Sequence, residues 1–459
     1  MNKYYGGVAA DEPHAALEGQ MILSLGGTAA DAIVAMAFTM MVTRPDAAGP
    51  GGGGICVYYD RNSNSAEALD FLPRIPEKNR SSKNGSTIPG SFRGLFSLSS
   101  RFGRLRWEQL VGPAERLAKF GLPLSTFQQH VFKQFPFFLS LKRFSEKKSA
   151  KTNKQILTNN KTVRQHHFAE VLASIRLEGP RVFYKGPLAR VYIEGIRKNG
   201  GKLNLDDLVE YKPTWKQTAK IQIHDKVLHF ISFFSNEGQN AEEIWKELRN
   251  KNHSNLSNEK SKELIFIQRT RPFFKRIYKK KFEKGASTGL IAMDAFGNSA
   301  SCVMTMNKPF GTGKFVGKTG IIPAAADYSK LNLIGSPIVM SNKKFRQGVL
   351  AASSVNENVP GLNLVLILNA VLRGKISLEQ AVNEPRITFG QKTNEILFET
   401  NISKKLKIML ENEKFHLIPV KKIGKINVMY CKTGIIVDPL NCSVLADPRH
   451  IGYALNSES

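Results

Sequence analysis

From Leu290 onward the hydrophobic pattern of this chain repeats every two residues. Residues 290–293, 299–306, 348–352, 425–431 and 434–437 read as strands. Helical segments lie between them, at 362–372 and at 378–382 with Ser377 as the N-cap. Strands that first frame helices and then follow them predict a layered αββα core. The change of period is announced by Gly285-Ala286-Ser287-Thr288-Gly289, where two small residues lead into adjacent hydroxyls and then an apolar run to Asp294. Hydroxyls that cap a strand are the plainer reading of Ser287 and Thr288. The sharper reading is a self-cleaving junction that exposes an N-terminal nucleophile.

The N-terminal half is mostly helical. Residues 12–26 carry Ala15, Ala16, Ile22 and Leu25 at helical spacing, stopped by Gly26-Gly27. Thr28 or Asp31 can cap the next helix, 30–42, which is apolar on almost every face and therefore buried. Four glycines, 51–54, then precede a strand at 55–60, with a second strand at 66–72. A phosphate-binding loop would precede a helix and end in Lys-Ser/Thr, so these glycines read as a structural turn against closely approaching backbone. Further helices are expected at 88–98, 107–120, 168–177 and 188–198, and a hairpin at 221–234 turns on His224-Asp225.

The chain has 459 residues and 42% apolar content, enough for a large α/β unit. Its 66 Lys+Arg against 38 Asp+Glu give a net charge of +28, concentrated at 142–154, 269–284 and 404–425. No nucleic-acid motif accompanies these clusters, so they read as solvated surface, and a basic binding protein is the least favoured function class. Residues 142–160 read as a loop, and 236–261 as a short helix running into a surface loop. Cys56 and Cys302 sit in apolar runs and read as core residues, whereas Cys431 and Cys442 could pair across a hairpin. No metal-ligand spacing occurs among the nine histidines, and no cofactor is expected. The longest apolar run, 32–42, is far short of the ~20 residues that cross a bilayer. With no signal-like apolar stretch near Met1, the sequence reads as cytoplasmic as it stands.

Several stretches, in order, resemble the γ-glutamyltranspeptidase (glutathione hydrolase) family. They include EPHAALEGQMILSLGGTAADAIVAMAF, RPDAAGPGGGGICVYYD, STGLIAMDAFGNSASCVMTMNKPFGTG, NEPRI and ADPRH. The resemblance implies an N-terminal-nucleophile hydrolase fold, a four-layer αββα sandwich. It also implies self-cleavage into a large segment, 1–286, and a small one, 287–459, that stay together as a heterodimer. Family members are often periplasmic or extracellular.

Carried over residue by residue, cleavage falls between Ala286 and Ser287, and Ser287 takes the nucleophile position usually held by Thr. A free α-amino group with a pKa near ~8 can take the hydroxyl proton at neutral pH. Thr288 is the alternative nucleophile, and Gly289 stands where many members have His. Thr305 corresponds to a Thr that hydrogen-bonds the nucleophile, and Asn307 to an Asn that holds the substrate's α-amino or carboxylate end. Two apart on one expected strand, they should face the same side. The family's Arg that grips the glutamyl carboxylate falls at Leu72, with Arg74 two residues on and on the same face of an extended strand. A second carboxylate-binding element leaves Ser336 as its nearest hydroxyl. The oxyanion-hole donors fall at Ser354, Val355 and Asn356, and the acidic residue for the substrate amino group at Asp327.

The leading expectation is thus a hydrolase or transferase of γ-glutamyl amides such as glutathione, acting through an ester on Ser287. The alternatives are a catalytically degenerate relative that keeps the fold, and an amide acylase with altered acyl specificity.

Overall fold

The two-residue alternation beyond residue 286 builds the middle of two antiparallel sheets in a computed structural model of the chain. The structure describes residues 6–76, 87–123, 162–231, 245–246, 286–326, 335–356, 358–359, 361–374, 376–390, 392 and 394–456. The expected loop at 142–160, the basic clusters at 142–154 and 269–284, and Asp327 lie outside them, as does 236–261 apart from 245–246.

The first sheet takes strands from both ends of the chain. These are β1 (Gly6–Ala10), β2 (Gly53–Asp60), β3 (Ser65–Asp70), β4 (Thr214–Gln217), β7 (Ser287–Asp294), β8 (Ser299–Thr305) and β13 (Tyr453–Asn456). Their spatial order is β13-β1-β7-β8-β2-β3-β4. The second sheet contains β5 (Ala219–Ile223), β6 (Lys226–Phe230), β9 (Gly335–Asn342), β10 (Gln347–Val355), β11 (Lys425–Cys431) and β12 (Cys442–Ala446), ordered β12-β11-β10-β9-β6-β5.

Side-chain alternation assigns the layers. On β7 and β8, Leu290, Ala292, Cys302 and Met304 pack against helices that include α1 (Pro13–Ser24) and α2 (Ala29–Thr43). On the opposite face, Ile291 and Met293 meet Ala351 and Met429, while Val303 meets Val339 and Val355, so the two sheets stack directly. The far face of the second sheet carries Ile338, Leu350 and Val428 against α3 (Leu362–Leu372) and α4 (Leu378–Asn383). This is the αββα sandwich expected from the pattern. Helix α2 is buried along its whole length, and a capping box starts it: Thr28 Oγ1 accepts from Asp31 N, and Asp31 Oδ2 accepts from Thr28 N. Such a cap is worth ~1 kcal/mol.

Three local expectations need correction. Residues 434–437 form a turn rather than a strand, because Ile436 N–H donates to Gln347 Oε1 and leaves no ladder to join. The strand after β11 begins instead at Cys442. Cys56 and Cys302 are buried as expected, but they are register partners on β2 and β8 and form a disulfide. Cys431 and Cys442 form a second one across the β11–β12 pair. Finally, Lys425 does not belong to a solvated surface. Its neighbours Lys421 and Lys422 are exposed, yet Lys425 is 5% exposed.

Candidate active site

Ser287 opens β7 opposite Thr305, the last residue of β8, and Thr305 in turn pairs with Gly53 on β2. The glycine turn before β2 explains why these strands can come so close. A Cβ on Gly52 would lie 2.3 Å from the Thr305 carbonyl oxygen. The four glycines therefore have a structural role beside the site.

Thr305 is the hub of the junction. Its hydroxyl donates to the Ala286 carbonyl oxygen at 2.9 Å, which leaves its lone pairs for two incoming donors. Ser287 Oγ donates to Thr305 Oγ1 at 3.2 Å, and the Asn307 amide donates to it at 3.0 Å. The Ala286 carbonyl oxygen receives a second donor, Met306 N–H, at 3.1 Å. The carbonyl of the expected scissile bond thus sits in a two-donor pocket, with the Ser287 hydroxyl on the adjoining residue. Ser287, Thr305 and Ala286 are all buried.

Thr288 points to the opposite face of β7 from Ser287. Its hydroxyl donates to Asp11 Oδ2 at 3.0 Å, and Gly289 N–H reaches the same oxygen at 3.3 Å. Asp11 also accepts from Lys425 Nζ at 3.3 Å and Asn427 Nδ2 at 2.8 Å. Burial pushes the Asp11 carboxyl up, but Lys425, Arg44 and the Asn427 hydrogen bond outweigh it and hold it below its ordinary value. Gly289 is tightly enclosed, since a Cβ there would lie 2.4 Å from Ser353 Oγ. A histidine does not fit that space.

The remaining expected residues are dispersed. Asn307 lies beyond the end of β8 with a φ of 63°, so the argument that it shares a strand face with Thr305 does not hold. Its side-chain amide donates to the Ala325 carbonyl at 2.8 Å. Asn356 also has a positive φ, 60°, just past β10, and its Nδ2 donates to the Ser287 carbonyl at 3.3 Å. Ser354 Oγ accepts from Gly361 N at 3.2 Å, Val355 ends β10, and Ser336 is buried opposite Ser354 on β9. Strand β3 stops at Asp70, so Arg74 does not continue the face of Leu72. Arg74 lies 3.5 Å from Asp70 and over the Tyr211 ring, with 43% of its side chain exposed. Leu72 is buried among Val303, Val339 and Val355 between the sheets.

Asp11, Lys425, Asn427 and the Met306 amide were not legible as site groups in the sequence. Asp11 follows β1, a strand whose Gly-Gly-Val-Ala-Ala pattern carries no strand signature. The usable signal was Lys425 at the start of an apolar alternating run, a position that buries it.

The gamma-glutamyltranspeptidase family model matches residues 15–263, more than half of the chain. The chain belongs to this family. Among curated members and relatives, scoloptoxin SSD14 of Scolopendra dehaani is 32% identical over 225 residues, 46% of this chain and 39% of that protein. Glutathione hydrolase 3 of Arabidopsis thaliana is 28% identical over 236 residues, 49% of this chain and 37% of the hydrolase. The chain thus spans about two fifths of the length of the curated relatives it matches. Over the whole fold it is similar to the cephalosporin acylase from Bacillus halodurans, with a TM-score of 0.77 at 18% identity, covering 99% of this chain and 96% of that one. This gamma-glutamyltranspeptidase-family chain therefore shares its αββα fold with that acylase along its described length.

Proposed function

We propose that this chain is a self-processing acyl-transfer hydrolase that uses Ser287 twice. The observation that carries the reading is the Ala286 carbonyl oxygen held by Thr305 Oγ1 and Met306 N–H beside the Ser287 hydroxyl. In the first use, Ser287 Oγ adds to the Ala286 carbonyl carbon, and negative charge builds on an oxygen that already has two donors. The Ala286–Ser287 C–N bond then breaks to leave an ester on Oγ and a free α-amino group on Ser287. Water hydrolyses that ester and releases the Ala286 carboxylate.

In the second use, the new amino group takes the Oγ proton as the oxygen attacks a substrate amide. The amine leaves, and water or an acceptor amine resolves the acyl-Ser287 ester. Thr305 keeps the hydroxyl oriented in both stages. Segments 1–286 and 287–459 remain one assembly because β7 and β8 lie between β1 and β2 in one sheet. Glutathione-like γ-glutamyl amides are the substrate class that family membership supports.

Leu72 favours a second reading on the acyl side. With a buried apolar residue where a carboxylate grip is expected, the site loses a strong charge-assisted contact and suits a less polar acyl group. Two disulfides fit an oxidising compartment better than the reducing cytosol.

Denaturing, reducing electrophoresis with N-terminal sequencing tests the processing step, and release of p-nitroaniline from a γ-glutamyl anilide tests the donor. A fragment beginning at Ser287 together with anilide turnover supports the reading. An intact, inactive chain sinks it in favour of a degenerate relative. A correctly cut chain that ignores the γ-glutamyl anilide but cleaves an apolar acyl anilide selects the altered acylase.

A further inference from the structure

We propose that Asp11 is a positioning residue for Ser287, clamping the strand that carries the nucleophile both before and after the junction is cut. The proposal rests on the self-processing reading above. Cleavage turns Ser287 from a mid-chain residue into a free end, and a free strand end frays unless it is tied down. The tie is visible one and two residues downstream, where the Thr288 hydroxyl and the Gly289 amide both meet Asp11 Oδ2. Asp11 is fixed in turn by Lys425 and Asn427 of β11, in the other sheet. Asn427 Nδ2 also donates to the Gly289 carbonyl at 3.1 Å, so both backbone polar groups of Gly289 are held.

The charges around the clamp are balanced. Asp11 and Lys425 are 2% and 5% exposed and pair with each other, while Arg44 pairs with Asp46 at 2.8 Å. Buried pairs of this kind do little for net stability, and fixing a geometry is a better-attested use for them. Nothing in the chemistry attributed to Ser287 and Thr305 needs Asp11 to exchange a proton.

Removing Asp11 alone would leave Lys425 buried without its counter-ion, so the informative variant is the double substitution Asp11→Ala/Lys425→Met. Thr288→Val, which deletes one clamp hydrogen bond without changing charge or shape, is the second. Three quantities are followed: the rate of fragment appearance in purified precursor, kcat and KM on a γ-glutamyl anilide, and Tm. Both variants are expected to keep Tm close to wild type and KM within ~3-fold, while the cleavage rate and kcat fall ~10- to 100-fold, the scale on which small misplacements of reacting groups act. Unchanged rates in both variants of an active wild type overturn the clamp alone. A rise in KM with kcat unchanged also overturns it, because that pattern marks substrate binding. A wild type that neither cuts itself nor turns over amides removes the clamp together with the functional reading.

The two disulfides carry an independent inference. Cys56 lies on β2, before the junction, and Cys302 on β8, after it, whereas Cys431 and Cys442 both follow it. We infer that the cut protein remains one covalent molecule through Cys56–Cys302. Denaturing electrophoresis without reductant is expected to give a single band near 51.1 kDa from cut protein, and two bands once dithiothreitol reduces the cystine to thiols. Peptide mapping without reductant reads the same bond whether or not the junction is cut. A peptide pair joined through Cys56 and Cys302 supports the tether, and alkylated free thiols at both positions overturn it.

Discussion

Around Ser287, polar partners arrive from several strands: Thr305 and Met306 at the end of β8, Asp11 beyond β1, Asn356 beyond β10, and Lys425 and Asn427 on β11. Around Leu72 the surroundings are apolar, and the guanidinium two residues on is turned to Asp70 and Tyr211. The contrast shows how differently the two halves of the proposed acyl-transfer site are encoded. The setting of Ser287 joins side chains, Thr305 above all, to main-chain groups, and strand register fixes where both fall. A carboxylate grip uses a few side chains, which substitution can change without disturbing a single strand.

The largest effect should come from breaking the well-built half outright. Ser287→Ala removes the attacking oxygen, and it is expected to leave a full-length chain and lower amide turnover ~10⁴-fold or more, as seen by electrophoresis and anilide hydrolysis. Appearance in that variant of a fragment that begins at Thr288 would move the nucleophile to Thr288. Thr305→Val keeps the shape but deletes one of two donors to the Ala286 oxygen, so fragment formation should slow ~10²- to 10³-fold. Thr288→Val and the Asp11/Lys425 double substitution probe the next shell inward.

The β6–β9 pair, which borders the other half through Ser336, should be the acid-sensitive part. Burial pulls the His229 imidazole down to about 3, while hydrogen-bond contacts at 3.1 Å join it to Thr218 and to Ser341 on β9. Between its unfolded value near ~6.5 and that low folded value, the unfolded chain binds a proton that the folded chain refuses. Stability therefore falls as pH drops through this window, and Tm should decline by roughly several degrees between pH 6.5 and 4. His450, pulled down to about 4 by burial, adds to the same slope. His229→Gln should flatten it in part, and an unaltered slope would remove His229 from the account.

The smallest effect is expected at Arg74. Arg74→Ala should change kcat/KM for a γ-glutamyl anilide less than ~3-fold, because this half-exposed guanidinium already has partners in Asp70 and Tyr211. A rise of 10-fold or more in KM would show that it swings in to meet substrate, and the contrast between the two halves would narrow accordingly.

The layers were legible because periodicity reports burial. Leu290 and Ile291 read as a two-faced strand, and α2 read as wholly buried. Ser287 and Thr305 were legible through the resemblance and met as register partners. What escaped was whatever depends on partners remote in sequence. The disulfide between Cys56 and Cys302 spans 246 residues, and apolar neighbours disguise both cysteines as ordinary core. Lys425 closes a basic stretch, and only its place at the head of an apolar alternating run sets its burial apart from the exposure of Lys421 and Lys422. Asn307 and Arg74 failed for a different reason. Each was placed by extending a strand past its end, Asn307 by two residues and Arg74 by four, where a left-handed turn or the strand end had already redirected the chain.

The clamp on Ser287 also has a consequence for timing. Asp11 reaches Thr288 across 277 positions of sequence, Lys425 across 414 and Asn427 across 416. Contacts so distant close large loops, the step that makes folding slow. A nascent chain that has emerged only as far as Met306 already contains the junction and its two donors, but not the strand that braces them. Under the proposed reading, scission of the backbone would act as a clock that runs at full rate once β11 has docked, and the fraction of cut chains would record how many molecules have finished folding.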